Sequence, residues 1–182
     1  MRNALTSLAA AALLCACAAP PSTGSDAALP APRLGQPAPA TLLAARDTSV
    51  MPDGAGLPPG GGTAREGAKV YADKCAACHG ERGAGRPADP LVGGIGTLKS
   101  KAPLRTVGSY WPYATTLFDY TRRAMPLNAP MSLSADEVYA VSAYLLNLNG
   151  VVGEDERLDA LTLAKVRMPN RDGFISDWPP RR

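Results

Sequence analysis

The chain places two cysteines and its only histidine in one short motif, Cys75-Ala76-Ala77-Cys78-His79. In a Cys-x-x-Cys-His motif each thiol can add to one vinyl group of haem, and the histidine that follows can bind the iron. The motif therefore predicts one covalently attached haem c. Three weaker alternatives are a structural zinc site, which lacks a further cysteine or histidine ligand, a thioredoxin-like pair, which lacks a βαβ pattern, and a structural disulfide.

Residue types also indicate which side chain could bind the iron as its sixth ligand. Methionine thioether favours Fe(II) and raises the reduction potential, which suits electron transfer. Met125 is the preferred ligand because it follows a predicted helix and is held by Pro126. Met131 and Met168 remain alternative ligands, with ordinary hydrophobic packing as the competing explanation for both. Together, His79 and Met125 predict an electron-carrying metal site with no catalytic residues.

Three helices are predicted to position these ligands. Residues 63–76 and 134–150 each open with a capping box, in which a Thr or Ser side chain and a Glu satisfy each other's free amides. Residues 112–125 have apolar side chains at helical spacing between two prolines. Residues 80–109 are rich in glycine and proline without a sustained period, and we expect them to wrap the haem. The predicted fold class is all-α.

The N-terminus is typical of an exported protein. Arg2 precedes an apolar run at residues 4–14 that is too short to span a bilayer as a stable helix. The run closes with Leu14-Cys15-Ala16-Cys17, which resembles a bacterial lipobox. We expect Cys17 to carry lipid and to anchor the protein to the periplasmic face of a membrane. Cleavage near residues 16–19 by the ordinary signal peptidase, giving a free periplasmic protein, is the alternative.

Composition divides the chain into successive segments. Residues 18–32 contain almost no large apolar side chains and are predicted to be a flexible tether. The predicted segments are a signal peptide at 1–17, the tether at 18–32, an extended N-terminal arm at 33–62, the haem domain at 63–150 and a C-terminal extension at 151–182. A short helix is expected within that extension, at about residues 158–166.

The charge balance argues against binding of nucleic acid. The formal net charge is +3, and loss of Arg2 together with the two propionates of a haem would bring it to about zero. Arg122 and Arg123 form the best candidate for a local docking patch, with Lys99, Lys101 and Arg105 nearby in sequence. Ordinary solvated charges are the competing interpretation.

A wider pattern joins these motifs. It comprises Gly67-x-x-Val70-Tyr71, Cys75-x-x-Cys78-His79-Gly80, Met125-Pro126 and Leu133-Ser134-x-x-Glu137-Val138. This pattern resembles class I cytochrome c. The resemblance implies the class I cytochrome c fold, here with extended N- and C-terminal arms, in which the first and last helices cross near Gly67 and the face around Val141 and Tyr144 or Leu145. It also implies that the Pro90 carbonyl accepts the Nδ1 proton of His79 and that Leu91 packs on the haem.

The flanking sequence carries a narrower resemblance. Its stretches are Pro52-Asp53-Gly54-x-Gly56-Leu57-Pro58-Pro59-Gly60, Gly108-Ser109-Tyr110-Trp111-Pro112-Tyr113-Ala114-Thr115-Thr116 and Lys165-Val166-x-Met168-Pro169-Asn170-Arg171-Asp172-Gly173-Phe174. They resemble the cytochrome subunits of bacterial sulfite and sulfur dehydrogenases. The resemblance implies a molybdenum-containing dehydrogenase subunit as electron donor and a downstream cytochrome as acceptor. It also implies that the indole N–H of Trp111 reaches a haem propionate.

The sequence as a whole predicts a periplasmic, monohaem c-type cytochrome that transfers single electrons and is not itself an enzyme. A haem enzyme or gas sensor would instead need a displaceable sixth ligand, and it is the main alternative. A haem-bearing structural anchor for an enzyme complex is a third hypothesis.

Overall fold

A computed structural model describes residues 34–175. The predicted signal peptide with Cys17 and the predicted tether at 18–32 lie outside the described residues. The chain divides into one unit that ends at Ala38 and a second that begins at Pro39. Residues 34–38 of the first unit form neither helix nor strand, and every element described below belongs to the second unit. Among residues 34–175, no helix has the length and apolar character needed to cross a membrane.

The second unit is mainly helical, which confirms the predicted fold class. Its helices within the described residues are α1 (Ala40–Arg46), α2 (Ala64–Lys74), α3 (Ala76–His79), α4 (Val107–Tyr110), α5 (Ala114–Ala124) and α6 (Ala135–Leu148). Two short strands, β1 (Gly61–Gly62) and β2 (Leu158–Asp159), and three 3₁₀ turns at Glu81–Gly83, Thr97–Lys99 and Leu163–Lys165 complete the elements described.

Both predicted capping boxes are present and fix where α2 and α6 begin. The Glu66 carboxylate accepts from the Thr63 backbone N–H at 2.7 Å, and the Thr63 hydroxyl accepts from the Glu66 N–H at 3.3 Å. Ser134 and Glu137 make the same pair of bonds at 2.8 and 3.2 Å. These bonds satisfy amides that the first turn of a helix otherwise leaves free.

Helices α2 and α6 cross at Gly67. A Cβ atom added to Gly67 would overlap the backbone carbonyl of Ala140 and would lie 2.9 Å from the Cβ of Tyr144. The predicted contact with Tyr144 is therefore confirmed, and the nearest backbone is that of Ala140, next to the predicted Val141. The rings of Tyr71 and Tyr144 pack beside the crossing with their centroids 5.3 Å apart.

Helix α5 packs on α6 through buried aromatic side chains. The rings of Phe118 and Tyr139 have centroids 4.5 Å apart, and both residues are fully buried. Polar groups of the same helices hold the N-terminal arm. The Asp119 carboxylate accepts from the Val50 N–H at 3.1 Å, and the Tyr139 hydroxyl donates to the Pro58 carbonyl at 2.9 Å. The arm is thus fixed by hydrogen bonds as well as by packing.

The two arms also pair with each other. Strands β1 and β2 are antiparallel, with Gly61 opposite Asp159 and Gly62 opposite Leu158. Of the short helix expected at about 158–166, only a 3₁₀ helix at Leu163–Lys165 is present, because the segment begins with β2. The described part of the N-terminal arm contains α1 and, between residues 51 and 57, two turns, so it is extended only in part.

Helix α4 was not predicted from the sequence. Its N-terminus has a capping box of Thr106 and Ser109, whose side chains accept from each other's backbone N–H at 2.8 and 3.2 Å. Serine takes the place of the usual Glu or Gln in this box, and the helix has only four residues. Its local sequence signal was therefore weak within the Gly- and Pro-rich stretch at 80–109.

Candidate functional site

A cavity of about 1050 Å³ lies among the helices of the described residues. This volume is just above the range usual for ligand sites, about 300–1,000 Å³, and suits a large group. Side chains from α2 to α6 and from the loops between them line it: Tyr71, Cys75, Cys78, His79, Leu91, Val107, Trp111, Leu117, Tyr120, Thr121, Met125, Leu127, Val141 and Leu145. Most of these side chains are apolar, so the cavity would exclude water from a bound apolar ring.

The haem-attachment motif is held at the junction of α2 and α3. Cys75 is the residue between the helices, and the backbone N–H groups of Cys78 and His79 both donate to its carbonyl, at 3.1 and 2.9 Å. These bonds form the single turn of α3 and bring both thiols and the imidazole to the cavity. The hydroxyl of Tyr71 donates to the Gly80 carbonyl at 2.9 Å and so holds the end of this turn against α2.

Both cysteines of the motif are free thiols. Cys75 is half-buried, and burial raises the pKa of its thiol to about 11. Cys78 is exposed. Two thiols one helical turn apart, next to an imidazole and beside an apolar cavity, fit the chemistry of covalent haem attachment. The residues present therefore fit a haem c.

The imidazole of His79 is oriented by a backbone carbonyl, but not by the one expected. Its Nδ1 atom lies 3.2 Å from the carbonyl oxygen of Asp89. The prediction that Pro90 provides this carbonyl is therefore wrong, and the acceptor lies one residue earlier in the sequence. Backbone bonds on both sides set this register: Ala88 donates to Cys78 at 2.9 Å, and Leu91 donates to the Gly83 carbonyl at 2.9 Å. The Asp89 carbonyl can serve the purpose expected of Pro90, because a hydrogen bond at Nδ1 leaves Nε2 free to bind a metal.

Met125 is the methionine that the structure brings to the cavity with His79. It follows the last residue of α5, and its N–H still donates to the Thr121 carbonyl at 3.0 Å. Met131 is 53% exposed, and Met168 is 1% exposed within the hydrophobic core. Neither of them lines the cavity. This placement favours Met125 as the sixth ligand, an assignment that stays a prediction.

Leu91 and Trp111 both line the cavity, whereas Pro90 does not. The Trp111 ring meets the edge of Tyr120 with centroids 5.7 Å apart. The contact of Trp111 with a propionate stays a prediction. Sequence reasoning missed Leu117 and Thr121, which share with Tyr120 the cavity face of α5. Their spacing of three and four residues was a usable signal once α5 was placed.

Charges near the cavity are partly paired. Arg123 forms an ion pair with Asp119 on the same helix, and that carboxylate raises the pKa of Arg123. Lys74, which lines the cavity, lies 3.8 Å from Glu137. The proposed arginine patch therefore has less free positive charge than the sequence suggested.

A second residue of interest is Asn149, which sequence reasoning also missed. Its side chain hydrogen-bonds to both Leu91 and Gly93, in the segment that carries the acceptor of His79. The sequence signal was slight, because an Asn before a Gly at a helix end is ordinary terminating chemistry.

Comparison with known proteins fits this geometry. The family model described as cytochrome c matches residues 64–149. A chain in the crystal structure of the sulfane dehydrogenase SoxCD from Paracoccus pantotrophus is 43% identical in sequence, with a TM-score of 0.76. That match covers 79% of this chain and 71% of the other, so it extends beyond residues 64–149 into the flanking sequence. No curated protein matches this chain significantly.

Proposed function

The chain belongs to the cytochrome c family and is a haem protein that carries electrons, and we propose that it is a periplasmic carrier with one haem c. We propose further that it serves a molybdenum-containing sulfite or sulfur dehydrogenase, as its haem subunit or as its electron acceptor. The observation that carries the proposal is the cavity that joins Cys75, Cys78, His79 and Met125. The match to a chain of a sulfane dehydrogenase supports the choice of partner.

Each part of the site has a definite task. Cys75 and Cys78 would hold the haem through thioether bonds, and His79 and Met125 would bind its iron. When bound, haem supplies a centre that gains and loses one electron. The Asp89 carbonyl accepts the Nδ1 proton of His79, which fixes the ring and makes Nε2 a stronger donor.

The apolar wall of the cavity has a second task. Leu91, Val107, Leu117, Val141 and Leu145 line the cavity and would exclude water from a haem bound there. A dry cavity disfavours the additional positive charge of the oxidised state, as does a neutral thioether ligand. Both features favour a carrier that accepts electrons readily.

The flanking sequence supports a dehydrogenase partner. The match to the SoxCD chain is longer than the cytochrome c domain, and the arms of this chain are packed and hydrogen-bonded to that domain. We propose that the donor is a molybdenum-containing subunit and that a downstream cytochrome takes the electron. Docking is proposed at the mouth of the cavity.

The periplasmic location is proposed on two grounds. Covalent attachment of haem in bacteria requires export of the chain, and residues 1–17 are typical of an export signal. Lipid on Cys17 would anchor the carrier to the membrane. In the Cys17→Ser variant we expect the holoprotein to leave the membrane fraction for the soluble periplasmic fraction. Unchanged membrane partitioning would contradict the lipid anchor without touching the electron-transfer role.

The function is tested by mixing the purified, oxidised holoprotein with a purified molybdenum-containing sulfite dehydrogenase and sulfite. The absorbance of reduced haem should appear only when both enzyme and sulfite are present. A second dehydrogenase, specific for protein-bound sulfane sulfur, separates the two candidate partners. Failure to accept electrons from either enzyme would contradict the proposed partner.

Two measurements on the holoprotein alone test the site. Mass spectrometry of the denatured protein should show one haem attached to each chain. The reduced protein should not bind carbon monoxide, because Met125 occupies the sixth position. Binding of carbon monoxide would instead support a haem enzyme or gas sensor with a displaceable ligand.

A further inference from the structure

Asn149 follows α6 and is 8% exposed. Its side-chain amide joins two distant parts of the chain. Nδ2 donates to the Leu145 carbonyl at 2.8 Å and to the Leu91 carbonyl at 3.2 Å. Oδ1 accepts from the Gly93 backbone N–H at 3.1 Å. Because an N–H can only donate and carbonyls can only accept, this orientation of the amide is the one that makes all three bonds.

The segment that Asn149 holds, residues 89–93, is here called the acceptor loop. It contains the carbonyl of Asp89, which faces Nδ1 of His79, and the side chain of Leu91, which lines the cavity. Asn149 binds this loop at two positions on its C-terminal side. The loop therefore links the end of α6 to the imidazole that would bind the iron.

Other bonds hold the acceptor loop from different directions. The Leu91 N–H donates to the Gly83 carbonyl at 2.9 Å, and the Thr106 hydroxyl donates to the Gly93 carbonyl at 2.6 Å. Among these contacts, Asn149 provides the side-chain bridge to α6. Its removal should loosen the loop without releasing it, because the other bonds remain.

Helix α4 leaves room for this amide. A Cβ atom added to Gly108 would overlap Oδ1 of Asn149 and would lie 2.6 Å from its Cγ. Substitution of Gly108 would therefore displace the amide without changing its chemistry. This gives an independent way to break the same bridge.

We propose that Asn149 is a positioning residue of the haem site, which holds the acceptor loop so that the Asp89 carbonyl orients and hydrogen-bonds the His79 imidazole. The partner at the second nitrogen of a metal-binding histidine sets the orientation and the basicity of the ring. A residue at the end of α6 thus acts on the iron ligand through one loop. The inference rests on His79 binding haem and is independent of which enzyme donates the electron.

A simpler role for Asn149 would be to end α6. Its Nδ2 bond to Leu145 lies within that helix, and Gly150 follows in the left-handed conformation with φ +71°. The two roles differ in their effect on His79. Gly150→Ala strains the same helix end, but its added Cβ meets no atom within 4 Å. It is therefore a matched control that disturbs the helix end and leaves the amide in place.

The test measures exchange of the His79 Nδ1 proton with solvent, by NMR of the reduced holoprotein. Asn149→Ala and Gly108→Ala should each speed exchange by about tenfold, the effect of losing a hydrogen bond of typical strength. Gly150→Ala should leave the rate within about twofold of the wild type, because the acceptor loop keeps its bridge.

Equal exchange rates in the wild type and Asn149→Ala would overturn the proposal and leave Asn149 as a helix-ending residue. An equal increase in Gly150→Ala would do the same, because fraying of α6 would then explain the effect. If Asn149→Ala does not incorporate haem, Asn149→Ser and Gly108→Ala are judged by the same criterion. None of these measurements requires the dehydrogenase, so the result is separate from the test of the partner.

Discussion

Met125 and His79 reach one cavity from opposite parts of the chain, and each is held by a nearby backbone bond. The N–H of Met125 remains bonded to the last turn of α5, and the His79 ring faces the Asp89 carbonyl. The backbone of Met125 and the ring of His79 are therefore held in place by the protein itself.

Met125→Ala should open the sixth position of the iron. We expect the reduced variant to bind carbon monoxide and the oxidised variant to lose its sulfur-to-iron charge-transfer band. The reduction potential should fall by on the order of 100 mV, part of the range of about 0.8 V that axial ligands span. Met131→Ala is the control, because Met131 is 53% exposed and should leave spectrum and potential unchanged. The reverse pattern would assign the ligand to Met131.

The residues around His79 differ in how far the sequence could predict them. The motif of Cys75, Cys78 and His79 is local, so it could be identified without the fold. The acceptor of His79 depends on bonds that Ala88 and Leu91 make to other segments, and the predicted Pro90 was therefore one residue away from Asp89. The resemblance implied that a backbone carbonyl accepts the Nδ1 proton of His79, and tertiary contacts determine which residue provides that carbonyl.

Helices α2 and α6 form the frame of the haem domain, and their close crossing depends on the absence of a side chain at Gly67. Their starting points could be predicted, because a capping box is formed within a few residues. The box of α4 was missed because it uses Ser109 in place of a glutamate. The pairing of β1 with β2 was missed because Gly61 and Gly62 have little preference for a strand and their partner lies far along the chain.

Gly67→Ala should force α2 away from α6. The added Cβ would overlap the Ala140 carbonyl, so we expect a loss of about 1–3 kcal/mol in the free energy of unfolding. Urea unfolding of the holoprotein measures this loss. Gly153→Ala is the control, since its Cβ would lie 3.7 Å from the nearest atom, the Cβ of Glu156. Equal stability of the two variants would show that the helices do not meet as closely as described.

Tyr139 links α6 to the N-terminal arm and should make folding sensitive to alkali. Burial, with a smaller effect of Asp159, raises the pKa of Tyr139 from 10.0 to about 12. Between these values the unfolded chain has released the proton and the folded chain has kept it, so stability falls as pH rises. Below this window both states are protonated and the group adds no pH dependence.

The variant Tyr139→Phe removes this titration together with the bond to Pro58. At about pH 8 we expect it to be less stable than the wild type by about 1 kcal/mol, the usual value of one hydrogen bond. At about pH 11 the difference should be smaller, because only the wild type loses stability by ionisation. Urea unfolding at both pH values provides the measurement, and a difference that does not change with pH would be contrary to expectation.

The cavity lies between helices that, apart from it, pack together into one small hydrophobic core. A cavity of about 1050 Å³ among α2, α5 and α6 leaves much apolar surface without a partner until a large group occupies it. Both arms add to the core from outside, since Val50, Leu158, Leu163 and Met168 are buried there. The sequence showed these arms as separate segments but could not show how they pack.

Loss of haem should therefore unfold the chain. In the variant Cys75→Ala, Cys78→Ala, purified without haem, we expect helical circular dichroism to be largely lost. The missing contacts should exceed the usual net stability of a domain, about 5–15 kcal/mol. Adding haem to the same variant is the control and should restore helix content. Native-like helical dichroism without haem would show that the arms and helices suffice alone.

The pairing of β1 with β2 can form only after most of the chain has been synthesised. The ribosome makes the chain from its N-terminus, and β1 must wait for its partner until Leu158 and Asp159 have been made. By then Cys75, Cys78 and His79 have long been available, while the cavity wall formed by α6 has only just been completed. The order of residues thus makes the attachment motif available before the strand pair that joins the two arms can form.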